Sequence, residues 1–227
     1  MLRLEKKKGL VAAIIVLLIL VIDQIIKIEV KTNMCLHDYY RVTDWFYIYF
    51  VENEGMAYGM TFVNKLVLTL FRIVAVIVIA YYLTRKIAAN ARWVFVIFVS
   101  MILAGASGNL IDCMFYGKIF SPSTAESISE FVPWGEGYGD MFYGKVVDML
   151  HFPLISTQLP EWLPIWGGDD FLFFEPVFNF ADSCITVGVV LLLLFCRKEL
   201  NAIGGGKDTK DKTQENNDLQ GTDTNES

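Results

Sequence analysis

The chain has 227 residues, of which 54% are hydrophobic, 14% aromatic and only 19% charged, with a mean hydropathy of +0.44. Soluble domains of ordinary make-up carry about 25% charged residues; here the apolar residues also gather into four long runs, which excludes one soluble globular domain. A formal charge of −6 excludes a generally basic nucleic-acid binder.

The first run covers residues 10–30. It is unbroken apolar as far as Ile22, and then Asp23, Gln24, Lys27 and Glu29 intrude. A basic start followed by an apolar stretch resembles a secretory signal peptide, but no small-residue cleavage site follows, so a retained helix is expected. The second run is 66–83, with Arg72 early in it, and the third is 93–111. The fourth is 177–196, with Asn179 and Asp182 near its start. Each run is about 20 residues, or ~30 Å as helix, which matches the hydrocarbon thickness of a bilayer.

Basic residues give the direction. Arg3, Lys6, Lys7 and Lys8 precede the first run. Arg85, Lys86 and Arg92 lie between the second and third, and Arg197 and Lys198 follow the fourth. The positive-inside rule therefore makes both termini cytoplasmic and residues 31–65 and 112–176 external. Residues 1–200 are expected to form the membrane domain. Residues 201–227, polar and without aromatics, are expected to be a disordered cytoplasmic tail. Cys35, Cys113, Cys184 and Cys196 show no paired spacing. His37 and His151 are too few and too scattered for a zinc site. No metal and no cofactor is expected.

Ionisable groups within a membrane helix are costly and point to function, although an acid–base pair also serves simply to orient helices. With the derived topology, Asp23 and Lys27 occupy the outer part of the first helix. Asn109 and Asp112 end the third, and Asn179 and Asp182 begin the fourth. All lie in one shallow layer near the outer interface. Asp23 and Lys27 are one turn apart and can pair. A further acid, Asp148, follows Gly144-Lys145-Val146-Val147. The apolar stretch after it is expected to dip into the interface, bringing Asp148 to Asp182. Two carboxylates sharing a site cannot both ionise, so one keeps a proton near neutrality. An aspartic peptidase uses that state: one carboxylate takes a proton from water while the other polarises the scissile carbonyl.

Five blocks in order resemble the bacterial lipoprotein signal peptidases, or signal peptidase II, a family of aspartic peptidases. They are Asp23-Gln24-x-x-Lys27, Asn53-x-Gly55-x-Ala57-Tyr58, Gly108-Asn109-Leu110-Ile111-Asp112, Val146-Val147-Asp148 and Phe178-Asn179-x-Ala181-Asp182. The resemblance implies an α-helical membrane protein of four transmembrane helices with a small extracytoplasmic β-cradle, which residues 42–51, rich in β-formers, would suit. It implies a multi-pass protein of the bacterial inner membrane, with its active site near the extracytoplasmic face. It also implies cleavage of prolipoproteins on the amino side of a diacylglyceryl-modified cysteine. The catalytic pair maps onto Asp148 and Asp182. Asp23, Lys27, Asn53, Gly55, Asn109, Asp112, Asn179 and Ala181 map onto supporting or substrate-binding positions. The expected partners are the lipid-modified precursor and membrane lipid, with no nucleic acid, and the chain is expected to act as a monomer.

The chain departs from the family pattern twice. The family usually has Arg directly after the third-block Asp, where this chain has Cys113. Arg41, Lys118 and Lys145 are the candidate substitutes, and the sequence does not choose among them. The spacing from Asp112 to Asp148 is also far longer than the family's. Met-Phe-Tyr-Gly-Lys occurs at 114–118 and again at 141–145, so residues 114–140 form an insertion bounded by a direct repeat, and their removal restores the family spacing. An insertion in an outer loop is expected to be tolerated, and its deletion to leave folding and cleavage intact. A second expansion at 158–175 carries Trp162, Trp166, Phe171, Phe173 and Phe174 and is expected on the membrane surface or over the cleft. Gly137-Tyr138-Gly139-Asp140 spells the Gly-x-Gly-Asp motif of other intramembrane peptidases, but its polar surroundings mark a loop turn. The competing readings are a small transporter and an assembly factor. A transporter would place its polar groups near the midplane, and an assembly factor leaves the meeting of Asp148 and Asp182 unexplained.

Overall fold

No proline interrupts the first run, so helix α1 extends beyond it at both ends, over Leu2–Asn33. The structure is a computed structural model that describes residues 2–54, 64–153, 155–158, 170–173 and 176–204. Helix α2 (Lys65–Ala88) starts at Asn64, whose side-chain oxygen accepts from the Leu66 N–H at 2.9 Å. Just past its end, Asn90 has φ 58°, a left-handed turn that Asn tolerates better than most residues. Helix α3 (Trp93–Ile111) passes into a π-helical turn, Asp112–Tyr116, and a short α4, Gly117–Ile119. Helix α5 covers Phe180–Phe195 and α6 covers Arg197–Gly204.

Three of these helices are long and apolar enough to cross a membrane. Helix α5 is apolar but shorter, at 16 residues, or about 24 Å. The expected run of 177–196 loses its first residues to a strand and to the helix cap. Leu17, Phe71, Ile77 and Leu194 each expose more than half of their surface along the helix flanks. Apolar surface of that extent is suited to lipid rather than water.

Helix α3 is the central helix and packs against α1, α2 and α5. Glycines bring α3 and α5 together. A Cβ at Gly105 would run into the carbonyl oxygen of Ala181, and one at Gly188 would lie 2.8 Å from the Ile102 side chain. Small residues at such crossings let backbones approach where no hydrophobic force drives association. At one end of the bundle the buried Lys8 ammonium donates to Asn90 Oδ1 and to the Ala91 carbonyl, both at 2.6 Å. There Arg92 also donates to Glu199 and to the Phe195 carbonyl.

The opposite end carries an antiparallel sheet in the order β1-β2-β3-β6, made of Tyr39–Thr43, Phe46–Asn53, Val146–His151 and Val177–Phe178. Strands β4 (Ile155–Gln158) and β5 (Asp170–Phe173) pair separately. The segment around Asp148 is thus a strand, and β-branched Val146 and Val147 suit a pleated surface of that kind. Alternation along β3 sends Val147 and Met149 into a core with Val30, Phe50, Tyr116 and Phe120, and so turns Asp148 to the other face. A bulge between Ile48 and Val51 resets the register so that Val51 faces Asp148 and Asn53 faces Val146.

The insertion is not a loose addition. Tyr116, Phe120 and Ser129 are buried. Backbone bonds run from Leu36 N to Thr124 O, from Val132 N to Ile119 O and from Tyr138 N to Phe120 O, each at 2.9 Å. The Gly-x-Gly-Asp quartet serves this packing: a Cβ at Gly137 would collide with the Gly117 carbonyl, and Asp140 pairs with Lys118 at 2.8 Å. Of the tail, Asn201–Gly204 falls within α6. The rest of the tail and the side chains of the aromatic segment 158–175 lie outside the described residues.

Two outcomes follow from this packing. Deleting residues 114–140 removes the buried Phe120, a loss of about 1.5–3 kcal/mol, together with the half-buried Tyr138 packed on the same cluster. The expected result is a lowered thermal melt and a lowered yield of folded protein, contrary to the tolerance expected of a loop. Gly105→Ala overpacks the α3–α5 crossing at a cost of about 1–3 kcal/mol, read as a lowered melt in detergent.

Candidate active site

Helix α1 supplies the base of the site. The buried Lys27 ammonium lies 3.0 Å from Asp23 Oδ2 and 2.8 Å from Asp112 Oδ2, and donates to Asn109 Oδ1 at 2.8 Å. An ammonium has three protons to give, and all three are used. The expected Asp23–Lys27 pair is therefore one half of a larger cluster. Asp23 turns its other oxygen to the Ala181 N–H at 3.0 Å, an otherwise orphaned donor in the first turn of α5. This approach needs glycine on α3, since a Cβ at Gly108 would lie 2.6 Å from Asp23 Oδ2. Asp112 accepts from Gln24 Nε2 at 2.9 Å, and Gln24 in turn accepts from the Tyr116 hydroxyl at 3.1 Å.

Helix α5 starts with a reciprocal cap. Asn179 Oδ1 accepts from the Asp182 N–H at 2.9 Å, and Asp182 Oδ2 accepts from the Asn179 N–H at 3.3 Å. Asn179, expected inside the helix, is its N-cap. Its amide nitrogen donates to Asp148 Oδ1 at 2.7 Å and to Asn109 Oδ1 at 3.0 Å. Asn109 donates to Asp182 Oδ1 at 2.7 Å, and Asn53, diagonal to Asp148 across the β2–β3 pair, donates to Asp148 Oδ2 at 3.1 Å.

The direction of these amides is determined. Lys27 cannot accept, so Asn109 must turn its oxygen to Lys27 and its nitrogen to Asp182. The helix cap takes the Asn179 oxygen, which leaves its nitrogen for Asp148. Both carboxylates thus receive amide donors, and among the described residues neither is in contact with a cation. Burial, and then the nearby Asp182 charge, push Asp148 up to about 7, while the Asn53 and Asn179 amides pull the other way.

The structure brings together Asp23, Lys27, Asn53, Asn109, Asp112, Asp148, Asn179 and Asp182. Ala181 contributes its backbone N–H. Gly55 lies outside the described residues. The three candidate cations for the missing Arg are engaged elsewhere: Arg41 with Asp44, Lys118 with Asp140 and Lys145 with Glu52. The guanidinium beside Cys113 is that of Arg72 on α2, with Nη1 2.7 Å from the sulfur. An arginine within a membrane run was itself the signal for it. The four cysteine thiols are free.

Lys27→Met leaves Asp23 and Asp112 buried without their cation, at a cost of roughly 3–5 kcal/mol. Loss of folded protein is expected together with loss of any activity. A variant that melts like wild type would show that the cluster does not hold the helices.

Known proteins resemble the chain in sequence and in fold. Residues 15–197 match the family described as Signal peptidase (SPase) II. The chain is 48% identical over 203 residues to the lipoprotein signal peptidase of Porphyromonas gingivalis, covering 89% of each chain. It is 37% identical over 188 residues to that of Amoebophilus asiaticus, covering 79% of this chain and 75% of the relative. A solved bacterial membrane enzyme shares the fold at 23% identity, with a TM-score of 0.53 over 81% of this chain and 90% of that one. The chain belongs to the signal peptidase II family of lipoprotein signal peptidases.

Proposed function

We propose that Asp148 and Asp182 are the catalytic pair of a membrane aspartic endopeptidase. It cleaves the signal peptide from prolipoproteins on the amino side of the diacylglyceryl-modified cysteine. The observation that carries this reading is that both carboxylates are tied into one chain of amides, Asn53, Asn179 and Asn109, with no cation in contact with either among the described residues. Unneutralised neighbouring carboxylates share a proton. Burial and the Asp182 charge favour Asp148 as its carrier.

In this mechanism Asp182 takes a proton from water as the water attacks the scissile carbonyl. Asp148 gives its proton to the developing oxyanion. Return of a proton to the departing nitrogen breaks the bond. Asp23, Lys27 and Asp112 hold α1, α3 and α5 in place. Asn53, Asn109 and Asn179 aim the two acids. Arg72 stands where the family resemblance leads one to expect an arginine, beside the residue after Asp112. The end bearing Lys8 and Arg92 faces the cytoplasm under the positive-inside rule. The sheet and the acid pair then face outward, with four crossings of the bacterial inner membrane. The enzyme acts as a monomer on lipid-embedded precursor. Transport is not favoured, because the polar groups gather at one end of the bundle.

The test is cleavage of a diacylglyceryl-cysteine peptide by the purified chain. Asp148→Asn and Asp182→Asn should each abolish turnover while the protein still folds. The double variant should be no worse than either single, because the two act as a unit. Near wild-type activity in Asp148→Asn would remove the assignment. A proton on Asp148 is present below its pKa and lost above it. Activity should therefore fall on the alkaline side, with a midpoint near the value of about 7. Activity that keeps rising well beyond that pH would give the proton to another group.

A further inference from the structure

Helix α1 carries a second buried lysine one turn beyond the first. Lys31 lies 2.5 Å from Glu52 Oε1 and 2.8 Å from Ser123 Oγ, and Ser123 donates to the same Glu52 oxygen at 2.8 Å. Lys145 approaches the other Glu52 oxygen at 3.3 Å. The Lys31 ammonium sits against the rings of Tyr138 at 5.1 Å, Phe120 at 5.4 Å and Phe50 at 6.0 Å. Neither side chain of the pair reaches solvent appreciably, at 0% and 4% exposure. Burial alone would push the Glu52 carboxyl up, but the Lys31 charge and its hydrogen bond outweigh burial and hold it below its ordinary value.

Breaking such a pair is costly, so its presence fixes the backbone that carries it. That backbone is the end of β2, and the next residue is Asn53. Successive side chains of a strand point to opposite faces. Holding Glu52 on the α1 side therefore holds Asn53 on the Asp148 side. Ser123, Phe120 and Tyr138 all come from the insertion at 114–140. The insertion thus completes the enclosure of Lys31 and Glu52, a use for it that the spacing argument did not supply.

We propose that Glu52 is a positioning residue for Asp148: locked to Lys31 and Ser123, it fixes the end of β2 and so keeps the Asn53 amide on the Asp148 carboxylate. The proposal rests on the reading of Asp148 as catalytic. On this view two lysines on one face of α1 organise the two halves of the pair. Lys27 acts through Asn109 on Asp182, and Lys31 acts through Glu52 and Asn53 on Asp148.

The experiment measures kcat and KM of the full chain on one diacylglyceryl-cysteine peptide, with thermal melts alongside. Glu52→Gln should lower kcat about ten-fold, since small misplacements of reacting groups carry losses of that order, with KM within about two-fold of wild type. In an Asn53→Ala background the same change should lower kcat by less than about two-fold, because the group it positions is gone. A merely structural role would give the same loss in both backgrounds, and that result, or an unchanged kcat, overturns the proposal. Ser123→Ala keeps the ion pair and removes one hydrogen bond, so it serves if Glu52→Gln does not fold. Its smaller kcat loss should likewise vanish in the Asn53→Ala background, and persistence there overturns the proposal. Asp148→Asn is run in parallel. Activity in that variant would sink the catalytic reading itself, a failure distinct from additive effects at Glu52.

Discussion

The polar cluster that joins α1, α3 and α5 beneath the acid pair hangs on the saturation of one ammonium. Lys27 gives its three protons to Asp23, Asp112 and Asn109, which come from α1 and from the end of α3. No proton is left over, so no partner can rotate away without leaving a buried charge unsatisfied. The consequence travels along the amides. Asn109 must present nitrogen to Asp182, and the α5 cap makes Asn179 present nitrogen to Asp148. The orientation of Asn109 is thus imposed by an ammonium that touches neither member of the acid pair.

The same bundle holds two kinds of acid pair, and their difference is chemical. Asp23 and Asp112 are bridged by a cation, and their remaining oxygens accept from a backbone N–H and from Gln24. That arrangement suits two carboxylates serving as anchors. Asp148 and Asp182 have amides around them and no cation in contact among the described residues. They are the pair suited to share a proton, and burial together with the Asp182 charge moves Asp148 to about 7. A lysine in reach of Asp148 would stabilise its charged form and remove that property. Lys27, held behind Asn109 with no direct contact, acts on Asp148 more weakly than burial, the Asp182 charge and the two amides, and so conveys order to the pair without neutralising it.

Much of this was legible in the chain. Run lengths announced the membrane helices, and the depth of Asp23, Lys27, Asn109, Asp112 and Asp182 announced that they meet. What failed was local. The β-branched pair before Asp148 marks a strand, which the apolar residues after it do not announce by themselves. Hydropathy alone starts α5 at 177, whereas Asn179 followed at N3 by Asp182 is a capping signal that places it at Phe180. The partner of Arg72 is not legible in sequence, because the residue it meets, Cys113, lies 41 positions away in the π-helical turn. Lys31, Glu52 and Ser123 are ordinary surface-type residues in sequence. Only the fold shows that they are buried together.

The repeat bounding the insertion shows why sequence alone could not settle its role. Met-Phe-Tyr-Gly-Lys at 114–118 lies in the π-helical turn and α4. Its Tyr116 is buried and donates to Gln24, and its Lys118 reaches Asp140. The same five letters at 141–145 form irregular chain, with Phe142 at φ 74°, Tyr143 exposed and Lys145 on Glu52. Local preference is identical in the two copies, so the difference is tertiary. The first copy continues α3 and is drawn into helix by its preceding turns. The second must lead into β3, and Gly144, where any Cβ would meet the Asp112 carbonyl, lets it run close to the end of α3, held by its N–H on the Cys113 carbonyl at 2.9 Å. The same five letters thus adopt two different structures, because one copy is anchored to a helix and the other to a strand.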